Sequence, residues 1–108
     1  MNEAYVSIGT NLGDRAAQLD FALRSLAALP DTRVAALSPV FETDPVGPPP
    51  QGAYLNAVVR VETALAPRAL LEALLAIERA AGRERGERNA ARTLDLDLLL
   101  YGDRIVDE

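Results

Sequence analysis

The chain has no cysteine, no histidine and no tryptophan. It also has no lysine, so all 11 of its basic residues are arginine. Each absence removes a class of chemistry. Without cysteine there are no disulfides, thiol nucleophiles or thiolate metal sites. Without histidine there is no imidazole base, and ordinary zinc sites lose both their usual ligands. Without lysine there is no Schiff base, and the phosphate-binding loop that depends on a lysine cannot be built. A metal held by this chain must sit on oxygen ligands, which favours Mg²⁺ or Mn²⁺. No apolar run approaches the roughly 20 residues of a membrane span. The start, Met-Asn-Glu-Ala-Tyr, lacks the basic-then-apolar pattern of a signal peptide, so the cytoplasm is the expected compartment and no membrane is expected as a partner.

What remains is a 108-residue chain with 49% hydrophobic residues and a net charge of −5. That length and content fit one folded domain, residues 1–108, with a core of its own. The negative balance argues against a broad electrostatic footprint for nucleic acid. A βαββαβ sheet that binds RNA would also need exposed aromatics, and the chain has only three tyrosines and two phenylalanines.

Element signals follow in order. Val6 and Ile8 alternate with Tyr5 and Ser7, predicting a first strand that stops at Gly9. Asp14 is placed to cap a helix running to about Leu29, with Leu19, Leu23, Leu26 and Leu29 inward and Pro30 ending it. Arg33 to Ser38 reads as a second strand, extending toward Phe41. Asp44 to Ala53 contains four prolines and two glycines and can be neither helix nor central strand. Leu55 to Thr63 is a clear strand. Pro67 suits the first turn of a second helix with Leu70, Leu71, Leu74 and Ile77 inward, and Gly82 is placed to cap its end. Arg83 to Ala91 is a polar loop. Thr93 to Tyr101 is the last strong strand, expected to be central, followed by a turn at Gly102-Asp103. The order β-α-β-β-α-β predicts an α+β, ferredoxin-like domain: a four-stranded antiparallel sheet with both helices on one face.

Asp95 and Asp97 are the most informative pair. On a strand they point one way while Leu94, Leu96 and Leu98 point the other. Adjacent carboxylates repel unless a cation lies between them. A plain alternating solvent face is the competing reading. The segment carrying Arg83, Arg85, Arg88 and Arg92 leads directly into this strand. Alone it would be a solvated loop with local ion pairs, but beside two acids it offers planar forks suited to phosphate. Tyr54 and Asn56 share a strand face and offer an aromatic plane beside an amide, a combination suited to a flat heterocycle. A tyrosine packed under the loop and an asparagine closing a turn explain those two residues equally well. Gly9 to Asp14 resembles a phosphate-binding turn but fits neither G-x-G-x-x-G nor the P-loop, and a tight turn with a helix cap accounts for it.

Taken in order, several segments together resemble the 6-hydroxymethyl-7,8-dihydropterin pyrophosphokinase family of folate biosynthesis. They are Gly9-Thr10-Asn11-Leu12-Gly13-Asp14, Phe41-Glu42-Thr43-Asp44-Pro45-Val46-Gly47, Tyr54-Leu55-Asn56-Ala57, and Glu78 with Gly82-Arg83. The most specific is Arg92-Thr93-Leu94-Asp95-Leu96-Asp97 through Tyr101-Gly102. The resemblance implies a ferredoxin-like fold and transfer of a pyrophosphoryl group from ATP to the pterin's hydroxymethyl oxygen, with release of AMP. It implies that Asp95 and Asp97 hold two Mg²⁺ ions on the ATP phosphates. Arg83 and Arg92 would bind phosphate oxygens, with Arg85 and Arg88 on a lid and Glu78 contributing to the nucleotide site. Thr43, Asp44 and Val46 would line the pterin pocket, Tyr54 would stack on the ring and Asn56 would bond its edge. The partners implied are small molecules, with the protein a monomer and a dimer the alternative. A non-catalytic small-molecule-binding domain of the same fold is the alternative function.

Two departures stand out. Arg88-Asn89-Ala90-Ala91-Arg92 replaces the Trp-Gly-Pro that commonly precedes this arginine, and Asp44 stands where proline is frequent. Family members continue past the position of Glu108. The expectation is that the C-terminal part of the family domain is missing here, with a histidine and an arginine for the triphosphate and an aromatic for the second pterin face.

Overall fold

A computed structural model describes residues 1–10, 14–43, 53–81 and 94–102, together with the backbone of 104–105. The elements are β1 (Asn2–Thr10), α1 (Arg15–Ala27), β2 (Thr32–Leu37), β3 (Phe41–Thr43), β4 (Tyr54–Thr63), α2 (Pro67–Ala80), β5 (Asp95–Tyr101) and β6 (Arg104–Ile105). The strands form one sheet in the order β2-β4-β1-β5-β6, with β3 also on β4. Every pairing is antiparallel. The domain is therefore α+β as expected, but its sheet has two short strands beyond the four read from the sequence.

The first extra strand comes from an interruption. The strand expected from Arg33 toward Phe41 breaks after Leu37 and resumes at Phe41 on the same neighbour, β4. Pro39 has no N–H to give to a ladder, so pairing must lapse there. Ser38 bridges the gap: its N–H donates to the Val58 carbonyl at 2.9 Å, and its hydroxyl accepts from the Val58 N–H at 2.8 Å. The second extra strand, β6, pairs only with Leu100 and Tyr101. Gly102, at φ 63°, supplies the left-handed turn between β5 and β6.

Both helices cover one face. Alternate residues of the central strands are buried there: Ala4, Val6 and Ile8 of β1, Ala57, Val59 and Val61 of β4, and Leu96 and Leu98 of β5. Leu19, Ala22 and Leu26 of α1 and Leu70, Leu74 and Ile77 of α2 complete the same cluster. Helix α1 starts where the sequence places it, with the Asp14 carboxylate accepting from the Ala17 N–H at 3.1 Å. It ends at Ala27, two residues short of Leu29, and Ala22 takes the fully buried place between Leu19 and Leu26. Helix α2 has Pro67 in its first turn and no side-chain cap. Its proposed cap at Gly82 lies outside the described residues.

β4 lies between β2 and β1, and β1 lies between β4 and β5. Each helix therefore crosses over to a strand one position beyond its nearest neighbour. This interleaving puts β1 between β4 and β5 and brings the end of β1 and the starts of β4 and β5 to the same end of the sheet. On the uncovered face Arg33 bonds Glu62 at 2.5 Å, and that bond, with the charge of Arg33, holds the Glu62 carboxyl below its ordinary value.

Tyr101 latches the far end. Its hydroxyl donates to the Leu65 carbonyl at 2.5 Å and accepts from the Asn2 side-chain amide at 3.1 Å, joining β5, β1 and the turn before α2. Tyr101→Phe keeps the ring and removes both bonds. It is expected to lower unfolding free energy by about 1 kcal/mol, read as a reduced urea midpoint with an unchanged slope.

Candidate functional site

The alternation expected around Asp95 and Asp97 is present. Leu94, Leu96 and Leu98 are buried in the core, while Asp95 is half-buried and Asp97 exposed on the opposite face. The apolar residues alone fix this orientation: a one-residue slip would send three leucines to solvent and two carboxylates into the core. As expected, β5 is not an edge of the sheet: it lies between β1 and β6. β1 pairs it on one side along its length, and on the other β6 pairs Leu100 and Tyr101. Among the described residues, no strand lies on that outer side beside Leu96.

Helix α2 covers that side. Glu78 is 2% exposed, and its Oε2 accepts the Leu96 N–H at 2.6 Å. The resemblance put Glu78 at the nucleotide; the structure turns its carboxylate inward, onto the peptide between the two aspartates.

The second half of the site lies on β4 and β3. Tyr54 and Asn56 share the uncovered face, as their spacing requires. β3 brings Thr43 opposite Tyr54 and Phe41 opposite Asn56. The Asn56 amide donates to the Thr43 hydroxyl at 2.8 Å and to the Tyr54 carbonyl at 3.3 Å. These bonds fix the plane of the amide and direct its oxygen toward β1.

β1 joins the halves. Gly9 is paired with Asn56 on one side and Asp95 on the other, and Ser7 with Val58 and Asp97. Asn56, Gly9 and Asp95 thus form one row, with the outer two about 10 Å apart at the usual strand spacing. Gly9 has a steric role here. A Cβ at that position would lie 3.3 Å from Asn56 Oδ1 and 3.4 Å from Tyr54 Cδ1. The Tyr54 ring and Asn56 amide occupy the space its side chain would take.

Nothing in the sequence pattern singles out Arg15, yet it joins residues near both ends of the proline-rich segment. Its guanidinium bonds Glu42 at 2.9 Å and the Ala53 carbonyl at 2.9 Å, tying both ends of the proline-rich segment to the start of α1. Gly9 was visible in sequence only as a turn residue, because its cross-strand neighbours depend on register. Arg83, Arg85, Arg88, Arg92, Asp44 and Val46 lie outside the described residues. A groove of about 320 Å³ lies farther along the uncovered face, over Tyr5, Ala36, Leu37, Ser38, Val58 and Arg60, and none of the candidate residues lines it.

The donor set suits a hard divalent cation. Asp95 and Asp97 provide adjacent carboxylate oxygens on an accessible face, and their cross-strand neighbours Gly9 and Ser7 carry no charge. Among the described residues no group of three or more such ligands is placed to hold a metal ion, so the aspartate pair is what these residues offer one.

Enlarging Gly9 tests the row directly. Gly9→Val is expected to displace the Tyr54 ring and Asn56 amide, moving the Asn56 side-chain resonances in a ¹⁵N spectrum, with a cost of about 1–3 kcal/mol. Gly9→Ala should move them less. Unchanged Asn56 resonances in the valine variant would contradict the close approach.

Residues 5–107 match the profile described as 7,8-dihydro-6-hydroxymethylpterin-pyrophosphokinase (HPPK). The 2-amino-4-hydroxy-6-hydroxymethyldihydropteridine pyrophosphokinase of Pseudomonas aeruginosa is 44% identical over 107 residues, 99% of this chain and 66% of that protein. The protein of that name from Methylorubrum extorquens is 45% identical, covering 100% of this chain and 69% of its own length. That from Pseudomonas putida is 47% identical over 97% of this chain and 87% of its own length. The chain thus spans about two thirds of the first two relatives. The profile match and these identities, over nearly every residue, establish that the chain belongs to the 7,8-dihydro-6-hydroxymethylpterin-pyrophosphokinase family.

Proposed function

We propose that this protein transfers a pyrophosphoryl group from ATP to the hydroxymethyl oxygen of 6-hydroxymethyl-7,8-dihydropterin, on a ferredoxin-like frame, releasing AMP and the pterin diphosphate for folate synthesis. The observation that carries this reading is the row Asn56–Gly9–Asp95. It sets a planar recognition element and an acid pair on one face, with only a glycine between them. No helix among the described residues is long and apolar enough to cross a membrane.

The pterin side is built for a flat, polar ring. Tyr54 offers a stacking plane, and the Asn56 amide, held by Thr43, offers an oriented hydrogen-bonding edge. Asp44 and Val46, on the adjoining loop, would close the pocket. Such a pocket fixes the hydroxymethyl oxygen relative to the phosphates, and orientation of this kind can supply several kcal/mol of a transfer barrier.

On the phosphate side, Asp95 and Asp97 would hold two Mg²⁺ ions. When bound, these would offset the negative charge of the phosphates as it shifts during transfer. Arg83 and Arg92 would bind phosphate oxygens, and Arg85 and Arg88 would close over them. Arginine stays charged at any working pH and binds oxygens in pairs. In the transfer, the hydroxymethyl oxygen forms a bond to the β-phosphorus, and the bond from that phosphorus to the α,β-bridging oxygen breaks. The electron pair leaves with AMP, and the hydroxyl proton passes to water. No covalent intermediate is needed, which suits a chain without cysteine, histidine or lysine.

Incubation with ATP, Mg²⁺ and the hydroxymethyl-dihydropterin is expected to yield AMP and pterin diphosphate in equal amounts. Formation of ADP instead would overturn pyrophosphoryl transfer. Asp95→Ala and Asp97→Ala are each expected to remove the Mg²⁺ dependence of nucleotide binding while leaving the circular dichroism spectrum unchanged. Calorimetric ATP binding with the original Mg²⁺ dependence would show that the carboxylates are not the ligands.

A further inference from the structure

We propose that Glu78 is a positioning residue for the β5 carboxylates: its buried side chain fixes the peptide between Asp95 and Asp97, and so the separation and direction of the two acids. The proposal rests on the reading of Asp95 and Asp97 as the metal ligands.

Three observations carry it. Among the described residues, β6 pairs β5 at Leu100 and Tyr101, and beside Leu96 it is helix α2 that meets β5. Twisting β5 about its axis would swing both carboxylates together. The Leu96 N–H on that side is taken by Glu78 Oε2, at 2.6 Å, in the short range of charge-assisted bonds. The base of the glutamate is itself rigid, since Leu74 and Ile77 seat the same stretch of α2 in the core. Position along the chain completes the argument. Leu96 is the residue between the two aspartates, so its amide is the backbone group best placed to hold both at once. Burying a carboxylate in a small core is costly, and a role in packing alone would be met by leucine.

The buried charge could instead act simply by adding negative potential near a cation. Substitutions separate the two effects. Glu78→Gln keeps an acceptor of the same reach and removes the charge. Glu78→Asp keeps the charge but is one methylene too short. Glu78→Leu removes both. Positioning predicts that Gln behaves like the original residue and that Asp behaves like Leu; a potential effect predicts the reverse. The readout is Mn²⁺ titration by paramagnetic broadening of the Asp95 and Asp97 amide resonances, with no nucleotide present. The Leu96 amide shift reports its hydrogen bond, and circular dichroism reports the fold.

Glu78→Asp and Glu78→Leu are expected to weaken Mn²⁺ binding at least tenfold, as loss of a ligand-orienting group commonly does, and to move the Leu96 amide upfield. Glu78→Gln should stay within about twofold of the original. If the leucine variant does not fold, the aspartate and glutamine variants alone still separate the two effects. Weak Mn²⁺ binding by the glutamine variant with normal binding by the aspartate variant would overturn positioning. So would unchanged Mn²⁺ affinity in a folded aspartate variant, with the metal-ligand reading intact. An original protein whose β5 amides are not broadened by Mn²⁺ would overturn the metal-ligand reading, and this proposal with it.

Discussion

Gly9 has no side chain, and the two halves of the candidate site meet because of it. β1 is paired with β4 on one side and β5 on the other, so whatever stands on its uncovered face separates Asn56 from Asp95. Any larger residue would press on the Asn56 amide and Tyr54 ring, whose atoms already stand 3.3 and 3.4 Å from where its Cβ would be. The rest of the arrangement protects that register. Ala4, Val6 and Ile8 bury the other face of β1, and a slip by one residue would expose all three.

Helix α2 links stability to the site. Leu70, Leu74 and Ile77 contribute to the core, and the adjoining Glu78 turns its carboxylate onto the Leu96 N–H of β5. The same helix thus anchors the sheet and supplies an acceptor to the strand that carries the two aspartates. Opposite, Arg15 at the start of α1 grips Glu42 and Ala53, on either side of the proline-rich segment. Each helix packs through its apolar face and reaches a flanking segment of the candidate site with a charged residue.

Much of this was legible in the chain. The alternation of Leu94, Leu96 and Leu98 with Asp95 and Asp97 requires the two acids to share a face, because strand period and hydrophobic burial leave one favourable arrangement. The same logic put Tyr54 and Asn56 together, and Asp14 at the head of α1. Other features were not legible. The interruption at Pro39 was written in the sequence, but the resumption of pairing at Phe41 depends on β4 extending beyond it. That α2 meets β5 at Leu96 could not be read from Leu98 to Leu100, since an apolar run describes burial by helices as well as by strands.

The sequence by itself determined the chemistry available and the facing of each strand: oxygen ligands only, arginine as the sole cation, acids opposite leucines. These follow from residue identity and from periods of two and 3.6, which are local. Only the tertiary structure decided which strand lies beside which. Seating β1 between β4 and β5 made Gly9 the floor between Asn56 and Asp95, and packing α2 against β5 turned Glu78 toward Leu96. Those relations join residues 18 to 86 positions apart, and no local preference encodes them; they arise from the one packing in which all the apolar faces are buried together.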